Sequence, residues 1–266
     1  MYSGQSIAIT GAGGGIGRAI AEKFIKQGAK VAISDIDTDL VKKTADEIGA
    51  VGFSCDVTDE QAIIDFIKGA EAANGPIDVF VANAGVGFPD QPGGHAAGGS
   101  NESWETSWQI HVMSSVYASR ALLPGWIRRG QGRFVIVASA AGLLAQIFSG
   151  SYTATKHAAV AFAEYLAMMH KDDGLKVHCV CPQYVKTNMT KGMEVVKDGP
   201  DIHLEASDVA DSLFAAMEAD KFLVLPHPVI AEYQQAKLAD IDRYIASMAY
   251  RKKITDSGHI PGVKET

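Results

Sequence analysis

Short apolar runs alternate along the chain with longer stretches whose apolar residues return every three or four positions. The short runs predict strands near 5–10, 30–35, 51–54, 78–82, 132–138, 176–181 and 222–225. The longer stretches predict helices near 16–27, 38–48, 59–74, 101–129, 151–172 and 207–219. Runs such as Phe134-Val135-Ile136-Val137 have no polar face, which suits strands covered on both sides. Regular alternation of strand and helix implies a parallel sheet with helices on both faces. Right-handed crossovers then leave a ligand crevice at the carboxyl ends of the strands. No repeat or linker interrupts the pattern, so residues 1–266 are expected to form one α/β domain. The tail from 229 to 253 reads as a further helix with Ile230, Tyr233, Lys237, Ile241, Tyr244 and Met248 on one stripe.

The first strand runs into Thr10-Gly11-Ala12-Gly13-Gly14-Gly15-Ile16-Gly17, and a helix follows with apolar positions at Ile16, Ile20, Phe24 and Ile25. Strand, glycine turn and helix make the first half of a dinucleotide-binding unit. Glycines let the backbone approach a pyrophosphate without a Cβ clash, and the helix N-terminus offers free N–H groups to its charge. The second strand ends in Asp35, a carboxylate placed to accept hydrogen bonds from adenosine ribose hydroxyls and to repel a 2′-phosphate. Neither Gly14 nor Ile36 supplies the cation that NADP would want, so NAD is the expected cofactor. The structural alternative is that Asp35 caps the next helix, a task Asp37 or Thr38 would serve equally well.

Tyr152 and Lys156 are four residues apart on a predicted helix, and Ser139 lies thirteen residues upstream of the tyrosine. A free phenol titrates near ~10. A cation fixed about 4 Å away contributes about 4 kcal/mol at an effective dielectric of about 20, or roughly three pKa units. The pair is therefore expected to bring Tyr152 towards neutral pH, with Ser139 hydrogen-bonding the oxygen that gains or loses charge.

Together these residues resemble the short-chain dehydrogenase/reductase family over nearly the whole chain. Thr10-Gly11-x-x-x-Gly15-x-Gly17 is similar to its cofactor motif, Asp56-Val57 to its adenine contact, and Asn83-Ala84-Gly85 to the segment ending its fourth strand. Ser139, Tyr152 and Lys156 match its catalytic residues, and Pro182-x-x-Val185-x-Thr187 resembles the segment that meets the nicotinamide carboxamide. The resemblance implies a doubly wound Rossmann fold with a seven-stranded parallel sheet. It also implies a homodimer or homotetramer joined through the long helices. Two positions depart from the pattern. His111 stands where relatives usually carry an asparagine whose main-chain carbonyl holds a water of the proton relay; a direct titrating role and a structural one both stay open. Gln183 follows Pro182 where glycine is common, and it is expected to contact substrate or narrow the pocket.

Two irregular stretches, 86–100 and 187–206, are expected to shape the substrate pocket. The second, with Met189, Met193, Val195 and Val196, is read as a mobile lid over the nicotinamide. Gln146, Ile147 and Phe148 lie between Ser139 and Tyr152 and are also candidates to reach substrate. No arginine pair stands out for a phosphate or carboxylate, so a largely apolar secondary alcohol or ketone is expected.

Composition narrows the rest. Apolar residues make up 47% of the chain, enough for a large core, yet no run of about eighteen apolar residues marks a membrane span. Net charge is -7 without a basic stretch, which argues against nucleic acid. Three cysteines, with Cys179 and Cys181 alternating on one strand, suit a reducing cytoplasm. No Cys/His/Asp cluster has metal-ligand spacing, and no metal is expected. Leu225-Pro226-His227-Pro228 reads as a strand stop rather than a site. The reading that results is reversible NAD-linked oxidation of a secondary alcohol. Its rivals are an NADPH-dependent carbonyl or 3-oxoacyl reductase and a catalytically weak NAD-binding regulatory protein.

Overall fold

The computed structural model describes residues 2–90, 95–191 and 202–256. Seven strands form one parallel sheet: β1 (Ser6–Thr10), β2 (Lys30–Asp35), β3 (Val51–Ser54), β4 (Val79–Ala82), β5 (Gly132–Val137), β6 (Leu175–Val180) and β7 (Leu223–Val224). Their order is β3-β2-β1-β4-β5-β6-β7, so the winding reverses between β1 and β4. Ligands of open α/β sheets bind at that reversal. Ile7, Ala8 and Ile9 pair there with Val79, Phe80 and Val81.

Helices α1 (Gly15–Lys26), α2 (Thr38–Ile48) and α7 (Ala206–Glu218) cover one face of the sheet. On the other lie α3 (Glu60–Asn74), α5 (Ser114–Arg129) and α6 (Gly150–Met169). Each face has its own aromatic core. Phe24 and Phe214 pack at 4.6 Å on the first, while Phe80 and Phe134 pack at 5.4 Å on the second. Trp126 closes the second core and satisfies its indole N–H on Ile77 O at 2.7 Å, as a buried indole requires.

The continuous helix expected over 101–129 is divided. An α-helix, α4 (Asn101–Trp108), runs into a π-turn at Gln109–Met113 before α5 begins. The inserted residue places His111 inside the molecule, where two hydrogen bonds from outside the helix hold it. The tail helix is also divided, into α8 (Val229–Ala239) and α9 (Ile241–Asp256). Asp240 is extended (φ -153, ψ 93) and its carboxylate accepts the Arg243 N–H at 2.9 Å, an N-cap that starts a new helix. The predicted stripe breaks with it, since Ile230 is fully buried and Ile241 is 49% exposed.

Residues 192–201, the central half of the proposed lid with Met193, Val195 and Val196, lie outside the described residues. Its entry is a short 3-10 turn at Asn188–Thr190, and its exit returns to the body where Leu204 bridges Val185.

Candidate active site

The glycine turn leaves β1 at the reversal and is clamped from β4. Asn83 Nδ2 donates to Thr10 O at 3.0 Å and Gly11 O at 2.8 Å, and its N–H reaches Thr10 Oγ1. Gly11 has φ +61, and a Cβ there would sit 2.6 Å from Ala84 Cα, so no other residue fits without moving backbone. A Cβ at Gly14 would meet nothing within 4 Å, because that glycine opens onto the cleft. Gly14 is the N-cap of α1, which has neither a side-chain cap nor an acidic residue in its first turn, leaving its N–H groups open to an anion.

At the end of β2, Asp35 Oδ2 accepts the Gly13 N–H at 3.0 Å and Oδ1 accepts the Asp37 N–H at 3.2 Å. Asp37, not Asp35, caps α2 through the Leu40 N–H. Asp35 thus ties the glycine turn to the cleft rim. A tight glycine turn, an uncapped helix and a rim carboxylate together fit a dinucleotide. One cleft of about 420 Å³ is lined by Gly11, Gly14, Gly15, Ile16, Asp35, Asp56, Val57, Asn83, Ala84 and Gly85 at one side. Ser139, Tyr152, Lys156, Pro182, Gln183, Val185, Thr187 and Met189 line the other.

Ser139 follows β5 and caps a short 3-10 turn, accepting the Ala141 N–H at 3.1 Å. Its Oγ donates to Pro182 O at 3.5 Å, and it lies close enough to the Tyr152 phenol to lower that group's pKa. Tyr152 and Lys156 project from α6 one turn apart. Lys156 Nζ donates to Val137 O at 3.1 Å, and burial pushes its pKa down to about 8. The electrostatics of the tyrosine differ from the expectation. Burial pushes the phenol above its ordinary 10, and the nearby Ser139 hydroxyl opposes that rise. Lys156 Nζ lies over the ring, 5.6 Å from its centroid, instead of at the hydroxyl. Desolvation therefore outweighs the ammonium's field in setting the phenol's affinity for its proton.

His111 stands behind this pair, its ring edge-on to Tyr152 at 5.4 Å. Nε2 accepts the Val86 N–H at 3.1 Å, so the proton sits on Nδ1 and is donated to Thr155 Oγ1 at 2.8 Å. Thr155 in turn donates to Ser151 O at 2.7 Å. Burial and the nearby Lys156 push the His111 pKa down to about 2. The ring is a neutral brace with a fixed tautomer, and it does not line the cleft.

The short chain dehydrogenase family model matches residues 5–196. The chain belongs to the short-chain dehydrogenase/reductase family. It is 34% identical over 212 residues to 2-(S)-hydroxypropyl-CoM dehydrogenase 3 of Xanthobacter autotrophicus, covering 77% of this chain and 81% of that one. A second protein of that organism, inactive 2-(S)-hydroxypropyl-CoM dehydrogenase 2, is 36% identical over 195 residues, covering 72% and 82%. The fold matches 3-ketoacyl-(acyl-carrier-protein) reductase from Brucella melitensis, crystallised with NADH, at a TM-score of 0.78 and 26% identity over 85% of this chain and 97% of that one. This short-chain dehydrogenase/reductase is an oxidoreductase with a nicotinamide cofactor.

Besides His111, the anticipated Gly17, Gln146, Ile147 and Phe148 fall outside the cleft. Gly17 is buried beneath the cleft instead of lining it, because a Cβ there would meet Asn83 Nδ2 at 2.5 Å; its smallness serves helix–strand packing. Gln146, Ile147 and Phe148 line a second cavity, of about 760 Å³, and Gln183 lines both it and the cleft. His227, read as part of a strand stop, turns out to hold Gln183: its Nδ1 accepts the Gln183 N–H at 3.2 Å. His227 is 44 residues from Gln183 and 43 from Tyr184, its other partner there, which left no local signal. Ile36, Leu40, Val86 and Ile110 also line the cleft, and they are ordinary apolar positions in the sequence.

Proposed function

We propose that this enzyme interconverts a secondary alcohol and its ketone with NAD as cofactor. The observation that carries the reading is the convergence of Ser139, Tyr152 and Lys156 on one end of a cleft whose other end holds Asp35. The glycine turn and the α1 N-terminus would hold the pyrophosphate, and Asp35 the adenosine ribose, where its charge disfavours a 2′-phosphate. When bound, oxidised nicotinamide supplies the hydride acceptor and a positive ring charge beside the phenol. Tyr152 takes the hydroxyl proton, Ser139 orients the substrate oxygen, and Lys156 adds a fixed positive charge and donors for ribose hydroxyls. In the reverse direction Tyr152 returns the proton to the carbonyl oxygen.

Tyr152→Phe should lose about 10²–10⁴-fold in kcat while still binding NADH. Undiminished turnover would remove the phenol from the mechanism. A kcat/KM preference for NADP over NAD would favour the carbonyl- or ketoacyl-reductase reading instead. A non-catalytic NAD-binding role draws support from His111 in the asparagine position; NADH binding without turnover of any alcohol or ketone would select it. The same reading makes the protein a cytoplasmic homodimer or homotetramer. Tyr165 and Met168 on α6, 55% and 69% exposed, would be covered in such an assembly.

A further inference from the structure

The second cavity lies between residues 144–148, in the loop after Ser139, and the α8–α9 pair. It meets the cleft at the catalytic groups from two directions. Ala140 and Ala141, directly after Ser139, form part of its wall, and Gln183, directly after Pro182, lines both spaces. A substrate whose hydroxyl reaches Ser139 and Tyr152 therefore has this cavity beside it for the rest of its body. At about 760 Å³ it has the size of a pocket for a drug-sized ligand, far more than a short alcohol needs.

Its floor is apolar. Ala140, Ala141 and Ile230 are buried, and Leu144, Ile147 and Met248 are half-buried around them. The polar wall groups are engaged with the protein. Asp240 Oδ1 accepts the Arg243 N–H at 2.9 Å, and the Tyr244 hydroxyl accepts the Ala145 N–H at 2.9 Å. Tyr184, Tyr233 and Arg251 have partners of their own. The Arg243 side chain is solvent-exposed, where a guanidinium adds little to the hold on an anion.

The wall is held in place. Phe148 has φ +64, uncommon for a bulky residue, and its neighbours fix it there. The Asp90 N–H donates to Phe148 O at 2.8 Å, and Ser149 Oγ donates to Phe88 O at 2.8 Å. Strain kept in this way concentrates at active sites and ligand clamps. The two tail helices are latched to the same loop. Lys237 Nζ donates to Leu143 O at 2.8 Å and lies 5.7 Å from the Tyr244 ring centroid. α9 is otherwise largely exposed, so the Tyr244 contact sets how far it stands from the loop.

We infer that this cavity receives the body of the alcohol substrate, and that Tyr244 is a positioning residue that holds α9 over it. The substrate class is an uncharged secondary alcohol or ketone with an extended or fused-ring apolar body of about eight carbons or more. The inference rests on the dehydrogenase reading above and adds where the body binds and how large it is.

An alcohol bound beside NADH cannot be oxidised, so binding is read apart from turnover. Calorimetry on the NADH-bound enzyme would compare 2-butanol, 2-hexanol and 2-octanol, with 7-hydroxyoctanoate as the charged counterpart. Affinity should rise about fourfold per added methylene, and 7-hydroxyoctanoate should bind more weakly than 2-octanol. Bound 2-octanol should slow amide exchange at 144–148 and in α9. The 2-octanol-to-2-butanol affinity ratio should fall about tenfold in Ala236→Trp, which fills the cavity from α8. It should fall about twofold to tenfold in Tyr244→Phe, which cuts the latch and should act on 2-octanol turnover through KM and not kcat. A flat series, tighter binding of 7-hydroxyoctanoate, exchange protection away from 144–148 and α9, or a ratio that neither variant lowers overturns the inference. Should the variants fail to fold, the wild-type series and its exchange pattern decide alone. Absence of turnover for every alcohol with NAD, with the series and the protection intact, would sink the dehydrogenase reading and leave the site standing.

Discussion

Replacing His111 with asparagine separates a structural histidine from a titrating one. The ring accepts the Val86 N–H at 3.1 Å and donates to Thr155 at 2.8 Å, with 3% of its surface exposed. An asparagine is too short to keep both bonds. Each buried polar group left unpaired costs about 1–3 kcal/mol, so the variant should be less stable by about 2–4 kcal/mol at pH 7. The pH dependence carries the sharper test. In the folded protein His111 stays neutral down to about 2, while the unfolded chain takes up a proton below 6.5. Between those values the unfolded state binds more protons, so the stability contributed by neutral His111 is complete above 6.5 and is lost as pH falls. From pH 7 to pH 5 that loss integrates to about 2 kcal/mol in the wild type and is absent from the variant. The stability gap should therefore narrow by about 2 kcal/mol over this range. Buried His178, with its pKa pushed down to about 4, is common to both proteins and cancels. Urea unfolding followed by tryptophan fluorescence, at one fixed protein concentration and several pH values, measures the gap. A gap constant from pH 7 to pH 5 would refute the neutral brace, and a widening gap would mean that folded His111 carries a proton.

Other expectations follow from the same geometry. Lys156→Met removes an ammonium whose pKa falls from 10.5 to about 8, which relieves about 3 kcal/mol of burial cost at neutral pH. The variant should melt at a higher temperature while losing turnover, and a lower melting temperature would contradict that balance. Gly11→Ala must displace the Ala84 backbone or leave φ +61, so NADH affinity should fall at least about tenfold in fluorescence titration. Asp240→Ala removes the α9 cap and should cost about 1 kcal/mol, seen as faster amide exchange confined to α9. Sedimentation velocity should give a dimer or tetramer; a monomer at micromolar concentration would leave the α6 surface without its proposed role.

Much of the site was legible because its chemistry sits at strand ends. Alternating apolar runs set the strands, and a parallel sheet gathers their carboxyl ends into one crevice. Asp35, Asp56, Asn83, Ser139 and Pro182 all follow or end strands, and all line one cleft. The four-residue spacing of Tyr152 and Lys156 likewise determined that they share a helix face. Spacing did not determine the field at the phenol, because burial by distant elements outweighs the nearby cation. One local signal was present and was outweighed by the stripe: Asp240, a good N-cap residue, divides the tail helix.

By itself, then, the amino-acid order decided the strands, the glycine turn and the shared helix face of Tyr152 and Lys156, since each depends on neighbours a few residues away. Tertiary structure alone decided that His111 is a neutral brace, that His227 holds Gln183 and that α8 and α9 wall a second cavity. Those properties depend on what lies across from a side chain, and the partners are 25 to 44 residues off along the chain for His111 and His227. Burial and hydrogen-bond geometry sum over elements that meet in space, and local periodicity carries no record of them.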